Sequence, residues 1–363
     1  MAKRIIIAGG GTGGHIFPAV AIANALKRYD AKTEILFVGA LGKMEMEKVP
    51  QAGYKIQGIP IAGFNRSSLI KNIGLPWMLL KSFLRVRQIV NAFQPDAVIG
   101  VGGYSSFPVL RYAQTKNIPT FIHESNSFAG KSNKLLGKKA TTIFVATDGM
   151  EAFFPKGKLV VTGNPIRPAI ANTAAIPKDA ALAHFGLTNS KPTVLAIGGS
   201  LGARSINEAI EKGLDALKQN NIQLIWQTGK SDATRWKEKT QGREGAWVSD
   251  FITEMEQAYA AADIVVSRAG AMAVSELCMV QKPVVFVPYP FAAEDHQTAN
   301  ATNLVKREAA LMVKDSEAKE KIVPLLIELA HNMGLRNSLK IAIGKYAVQK
   351  ADEHIVKEIL DRI

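Results

Sequence analysis

A histidine set directly behind a run of glycines is the first place in this chain where chemistry could happen. The run is Gly9-Gly10-Gly11-Thr12-Gly13-Gly14, and His15 closes it. Glycines let backbone approach a ligand closely, and amides at a helix start favour negative charge. An imidazole, which titrates near neutrality, can take a proton from a hydroxyl there or serve only as a hydrogen-bond partner. Two more polar clusters follow apolar runs: His123-Glu124-Ser125-Asn126 and Glu294-Asp295-His296-Gln297. Three of the chain's six histidines fall in these places. Glu124 could deprotonate a hydroxyl or orient His15, and His123 could cap its loop or meet a ligand. A metal held by His15, His123 and Glu124 has no short zinc-motif spacing behind it, so no metal site is expected.

The second half carries glycine-rich and small-residue turns of its own. Gly198-Gly199-Ser200-Leu201-Gly202-Ala203 leads into Arg204, and Ser267-Arg268-Ala269-Gly270-Ala271-Met272-Ala273-Val274-Ser275-Glu276 forms another strand-to-helix turn. A nucleotide P-loop needs Gly-Lys-Ser/Thr behind its glycines, and none follows the Gly9–Gly14 run. A dinucleotide fold wants an acidic residue about 20 residues past its first loop; Val38 and Gly39 stand after the second strand instead. A single such loop can be a tight turn with no ligand. Four of them at strand ends, the fourth at Gly100–Tyr104, point to a ligand, and the 198–203 loop is the better diphosphate candidate, with Ser200 offering a hydroxyl. Glu276 is either a solvated helix residue or an acceptor for two ribose hydroxyls.

These loops need strands and helices to place them. Ile5–Ala8, Ile35–Val38, Asp96–Val101, Thr120–His123 and Thr142–Ala146 read as strands, with a helix predicted over Pro18–Arg28. The plan restarts at Thr193–Ile197, with a helix from about Ser205 to Lys218 and strands at Gln223–Gln227, Gly245–Val248, Ile264–Val266 and Val284–Val287. Short apolar runs separated by helical stretches and glycine turns are the pattern of doubly wound α/β domains. Ligands of such sheets bind beyond the carboxyl ends of the strands. The expected organisation is a first domain over 1–163, a second over 164–340, and a terminal helix over 341–363, with the boundary near Asn164.

The chain has 363 residues, with 45 Lys and Arg against 31 Asp and Glu, a formal charge of +14. That length suits two domains, and the charge favours anionic partners: a membrane, nucleic acid or phosphorylated substrates. Between residues 64 and 87, Lys71, Lys81, Arg85 and Arg87 alternate with Leu75, Trp77, Met78, Leu79, Leu80, Phe83 and Leu84. This reads either as a surface for an anionic membrane or as a packed helix with a charged outer face. Cys278, the one cysteine, excludes an internal disulfide and fits a reducing compartment. The sequence presents neither a signal peptide nor an apolar run of about 18 residues, so no spanning helix is expected. No nucleic-acid-binding module is recognisable.

Seven stretches, in order and in both halves, resemble the MurG family of peptidoglycan N-acetylglucosaminyltransferases: GGGTGGHIFPAVAIANAL, GVGGYSSFPVL, HESNSFAGKSNK, TGNPIR, IGGSLGAR, SRAGAMAVSELC and DHQTANA. The resemblance implies a GT-B fold, two Rossmann-like domains facing a central cleft, with the terminal helix returning to the first domain. It implies inverting transfer of N-acetylglucosamine from UDP-N-acetylglucosamine, the donor substrate, to the 4-hydroxyl of the muramyl unit of lipid I. The product is lipid II, no cofactor is needed, and the chain works as a peripheral protein on the cytoplasmic side of the inner membrane, beside other cell-wall synthesis proteins. Carried onto matching positions, Thr12, Gly13 and Gly14 look like first-loop donor contacts and Asn126 like a sugar contact. Arg167 and Ser200 look like diphosphate contacts, and Ile252 like a backbone contact to uracil. Ala271, Met272, Ala273, Val274 and Ser275 look like the phosphate and ribose segment, with Glu276 on the ribose. Gln297 looks like a second sugar contact, with Asn300 nearby; the spacing before it leaves His296 as the competing position. His15 is the preferred base and Glu124 its rival. A UDP-N-acetylglucosamine 2-epimerase and a non-catalytic nucleotide-sugar-binding scaffold are the alternative readings.

Overall fold

The computed structural model describes residues 2–63, 74–199, 201–231 and 233–363. The chain divides into two compact units, Met1–Ile166 with Lys350–Ile363, and Arg167–Gln349. In the first unit seven parallel strands, β1 (Arg4–Ala8), β2 (Glu34–Ala40), β3 (Lys55–Ile59), β4 (Ala97–Gly100), β5 (Thr120–Glu124), β6 (Thr142–Val145) and β7 (Leu159–Val161), form a sheet of order β3-β2-β1-β4-β5-β6-β7. In the second, β8 (Thr193–Ile197), β9 (Gln223–Gln227), β10 (Ala246–Ser249), β11 (Ile264–Ser267), β12 (Val284–Phe286) and β13 (Leu311–Met312) repeat that order as β10-β9-β8-β11-β12-β13, again all parallel. Both are Rossmann-like sheets, in which the strand order reverses between the first and fourth strands, the place where such sheets bind ligands.

The central strands are apolar on both faces because helices cover both. Ile5, Ile6 and Ile7 are all fully buried, with Ile6 in one core cluster and Ile5 and Ile7 in the cluster on the opposite face. Three of the four edge strands are less regular, and the sequence reading missed them, whereas the fourth, β10, was expected. β3, KIQGI, has only Ile59 buried, β7 has three residues, and β13 has two.

Two helices differ from expectation. The first runs Gly13–Tyr29, so Gly13, Gly14 and His15 form its opening turn; glycine is a poor helix former and hid that turn from a propensity reading. The helix expected over Ser205–Lys218 is two, Arg204–Lys212 and Leu214–Gln219, parted at Gly213. A Cβ at Gly213 would stand 2.4 Å from Val323, so close packing explains the glycine and the glycine interrupts the helix.

The division between units lies at 166/167 and 349/350, a few residues beyond the expected 163/164 and 340/341. Asn164 is buried and donates through Nδ2 to Ser125 O at 3.0 Å, which keeps it in the first unit. Residues 341–344 finish the helix Met333–Gly344 in the second unit. The last helix, Ala351–Leu360, packs on Gly13–Tyr29 and buries Ile355, Val356 and Ile359 there.

The helix Leu75–Phe93 turns Ser82, Val86, Ile89 and Val90 inward. Trp77, Leu80 and Leu84 are exposed beside Lys81, Arg85 and Arg87, and Lys81 Nζ lies 5.6 Å from the Trp77 ring centre. Phe83 is only partly exposed. The outer face is therefore apolar as well as charged. Lys71 and the rest of 64–73 lie outside the described residues. No helix among the described residues is long and apolar enough to cross a membrane.

Candidate active site

Each unit places two turns at its strand-order reversal. In the first unit the turns after β1 and β4 interlock. A Cβ on Gly9 would stand 2.4 Å from Val101 and 2.7 Å from Gly102 O, and one on Gly103, whose φ is +82°, would lie 2.5 Å from Gly10 O. Only glycine fits where two backbones meet this closely. Thr12, exposed, precedes the helix without capping it through its side chain, and Gly14 and His15 follow partly exposed. His15 Nδ1 is 3.0 Å from Gly10 O. A carbonyl can only accept, so a hydrogen bond here has Nδ1–H as its donor.

This first loop is not built for a phosphate. Glu45, fully buried, accepts from Gly11 N at 2.8 Å and from Ala40 N at 3.0 Å. One loop amide is thus spent on a protein carboxylate, whose charge opposes another anion. Nothing in the sequence reading pointed to Glu45, which sits in the run Met44-Glu45-Met46-Glu47 like an ordinary surface helix residue.

His123 and Glu124 end β5 inside the unit. Burial pushes the His123 imidazole down to about 4, against the help of Gly163 O at 3.4 Å and with a smaller push from His15. At neutral pH this ring is uncharged. Glu124 accepts from Asn126 N and Nδ2 at 3.1 and 3.2 Å, Gly130 N at 3.0 Å and Asn133 Nδ2 at 2.9 Å. Both oxygens are engaged, and they shape the 125–133 loop and aim Asn126. That geometry suits a scaffold for Asn126 better than a base.

In the second unit Arg167, Glu276 and Tyr259 form one cluster. Arg167 Nη2 and Nε reach Glu276 Oε1 at 3.1 and 3.3 Å, and Tyr259 Oη donates to Oε2 at 3.1 Å. Burial raises the Glu276 carboxyl and Arg167 and Tyr259 oppose the rise; burial, then Glu276, puts the Tyr259 hydroxyl well above its usual range. Each carboxylate oxygen has two lone pairs; Oε1 already takes both Arg167 donors, so the position left for a hydroxyl donor is on Oε2, beside Tyr259. Ala271, Met272, Ala273, Val274 and Ser275 are partly exposed in the first turns of the helix Ala271–Val280, which Gly270 opens without a side-chain cap. Its first amides lack intrahelical partners and favour an anion.

Of the residues that hold these turns, sequence reading named Asn300 but gave no role to Gln227 or Arg268. Gln227, buried at the end of β9, donates through Nε2 to Gly199 O at 2.9 Å and accepts from Ile252 N at 3.0 Å. It therefore ties Gly199 to Ile252 and engages the Ile252 amide, which leaves the Ile252 carbonyl as the backbone group for the expected contact to uracil. Asn300 Nδ2 donates to Ala269 O at 3.1 Å, and Arg268 reaches Val287 O, Pro288 O, Asp315 and Ser205. Gln297 Oε1 accepts from Tyr289 N at 3.0 Å, whereas His296 Nδ1 turns to Ala293 O at 2.6 Å. Glu294 and Asp295 before them both have positive φ, +57° and +53°, which non-glycine residues hold only when their surroundings impose it. Ser200 lies outside the described residues.

Residues 5–145 match the glycosyltransferase family 28 N-terminal domain, and residues 193–355 the family 28 C-terminal domain. A protein of Phocaeicola vulgatus named UDP-N-acetylglucosamine–N-acetylmuramyl-(pentapeptide) pyrophosphoryl-undecaprenol N-acetylglucosamine transferase is 50% identical over 359 residues, 98% of this chain and 95% of its own. One of the same name from Parabacteroides distasonis is 49% identical over 360 residues, 98% and 97% of the two chains. The crystal structure of Acinetobacter baumannii MurG superposes with a TM-score of 0.80 at 26% identity, covering 99% of each chain. The chain belongs to the MurG family. A UDP-GlcNAc 2-epimerase from Neisseria meningitidis, bound to UDP-GlcNAc, matches with a TM-score of 0.69 at 14% identity over 100% of each chain; that likeness is one of fold alone. MurG membership accounts for the paired Rossmann-like units and for glycine turns at both strand-order reversals.

Proposed function

We propose that this chain transfers N-acetylglucosamine from UDP-N-acetylglucosamine to the 4-hydroxyl of the muramyl unit of lipid I, with inversion, giving lipid II. The observation that carries this reading is the relationship, over 98% of this chain, to proteins named for this one activity. The local chemistry supports it. Departure of UDP leaves negative charge on a diphosphate, and fixed amides with a cation stabilise such charge without reorganising. In this reading the helix start at Ala271–Ala273, Arg167 and Ser200 take that charge. Glu276 accepts the ribose hydroxyls, the Ile252 carbonyl meets uracil, and Asn126 and Gln297 hold the sugar. Thr12, Gly13 and Gly14 lie beside the transferred sugar.

His15 is the base. Nε2 takes the proton of the acceptor hydroxyl as its oxygen bonds to C1, and the C1–oxygen bond to UDP breaks with both electrons leaving on the diphosphate. One displacement inverts the anomeric carbon, and the base need act only once. Glu124 serves by holding Asn126. The acceptor's lipid tail stays in the bilayer, and the face bearing Trp77, Leu80, Leu84, Lys81, Arg85 and Arg87 rests on the anionic cytoplasmic surface of the membrane; other cell-wall synthesis proteins work on the same lipid.

The test is transfer of labelled sugar from UDP-N-acetylglucosamine to lipid I. Formation of lipid II is expected, and an epimerised nucleotide sugar with no lipid-linked product overturns the reading. His15→Ala is expected to lower kcat at least a hundredfold while UDP affinity, measured in parallel, stays within about threefold. Near-normal turnover removes the base assignment and leaves the transferase reading intact.

A further inference from the structure

The first-unit glycine loop has a carboxylate behind it and an imidazole before it, and the same turn connects the two. On one side, Glu45 accepts from Gly11 N and Ala40 N at 2.8 and 3.0 Å. On the other, Gly10 O faces His15 Nδ1 at 3.0 Å. The fit is close: a Cβ on Gly10 would fall 2.3 Å from the Glu45 carboxylate, and one on Gly39 would fall 2.5 Å from its Cγ. The ring is also backed by the second turn, since a Cβ on Gly102 would stand 2.8 Å from His15 Nε2 and Cδ2. A buried carboxylate is costly unless its hydrogen bonds compensate it. Here those bonds are made to the backbone on either side of the β2 end and the loop, so Glu45 fixes the peptide whose carbonyl meets the histidine.

We propose that Glu45 is the positioning residue of this half-site: by clamping the Gly10–Gly11 turn it holds the Gly10 carbonyl on His15 and so fixes the imidazole as the Nδ1–H tautomer, with the basic lone pair on Nε2. The proposal rests on the reading of His15 as base. It makes Glu45 a residue that touches no substrate and acts through a backbone carbonyl, in the way an outer carboxylate orients an imidazole directly in other enzymes. Loosening the clamp lets the Gly10 carbonyl move, and the other tautomer, which places a proton on Nε2, becomes competitive.

The experiment compares the full-length chain with Glu45→Gln, which keeps the side-chain size but turns one acceptor oxygen into an amide donor facing a backbone N–H. The readouts are the imidazole nitrogen NMR shifts of His15, assigned by their loss in His15→Gln, together with kcat, the KM for each substrate and the affinity for UDP. The wild-type chain is expected to show the Nδ1–H tautomer at neutral pH. Glu45→Gln is expected to show a mixture and a kcat lowered at least tenfold, with UDP affinity and donor KM within about twofold. A merely structural residue would lower the amount of folded protein without separating kcat from KM or moving the tautomer. An Nε2–H tautomer in the wild type overturns the proposal, and so does a Glu45→Gln chain with unchanged shifts and kcat. If Glu45→Gln does not fold, the wild-type spectrum still decides the tautomer, and Glu45→Asp, whose carboxylate falls a methylene short, decides the dependence. A shifted tautomer with reduced kcat in Glu45→Asp supports the clamp, and wild-type behaviour overturns it. Near-normal turnover of His15→Gln sinks the base assignment instead and leaves the tautomer comparison standing.

Discussion

Two histidines of the first unit, close enough to influence each other electrostatically, are held in opposite ways. His15 is partly exposed in the opening turn of its helix, whereas His123 is sealed inside and refuses a proton until pH falls to about 4. The unfolded chain accepts that proton near 6.5. Between those values the unfolded state binds more protons than the folded one, so stability falls as pH falls from about 6.5 to about 4. The effect is on the order of 3 kcal/mol once complete. Urea midpoints measured at pH 7.5, 6.0 and 5.0 are expected to fall in step, and His123→Gln is expected to flatten this part of the dependence; an equally steep fall in that variant counts against the assignment. The residue types at His15, His123, Glu124 and Glu276 were legible from the sequence, because glycine loops and strand ends pointed to them, whereas Arg167 came only through the family resemblance. Their partners were not legible. Glu45, Gln227 and Tyr259 become neighbours of these loops only through sheet register and helix packing, and no local pattern around any of them distinguishes a clamp from a surface or core residue.

At the scale of elements, the helix Leu75–Phe93 separates its two faces cleanly. Its inner face packs Val86, Ile89 and Val90, and its outer face leaves Trp77 63%, Leu80 49% and Leu84 55% exposed. Replacing Trp77, Leu80 and Leu84 together with serine is expected to cut binding to vesicles containing anionic lipid at least tenfold while UDP affinity is kept. Undiminished sedimentation with the vesicles would sink the membrane assignment of this face. Phe83 is the wrong position for such a test, because it is partly covered; the sequence could not rank it against Leu84, since hydrophobicity alone does not fix the rotation of a helix about its axis. The inner strands of both sheets were readable for a related reason. Strands buried on both faces are continuous apolar runs, which Ile5–Ala8 and Thr193–Ile197 are. KIQGI at an edge and the two-residue β13 carry no such signal.

At the scale of the whole molecule, the chain leaves the first unit at Ile166 and re-enters it at Lys350. The returning helix is a core component: Ile355, Val356 and Ile359 are buried against Ile16, Ala19, Ile22 and Ala23, and Arg28 pairs with Asp352 at 2.5 Å. Ile359→Ala is expected to cost the first unit about 2–5 kcal/mol, read as a lowered unfolding midpoint with UDP affinity unaffected; a change below about 0.5 kcal/mol would show that the helix is dispensable. Family resemblance supplied the helix's destination, whereas its own amphipathic pattern fits a groove on either unit equally well. The return also dictates an order of events during synthesis. Residues 350–363 leave the ribosome after the entire second unit, so at roughly 5–20 residues per second the first unit waits about 10–40 s for its last helix. Until then the part of Gly13–Tyr29 that this last helix covers, on the helix whose opening turn holds His15, stands bare in the nascent chain.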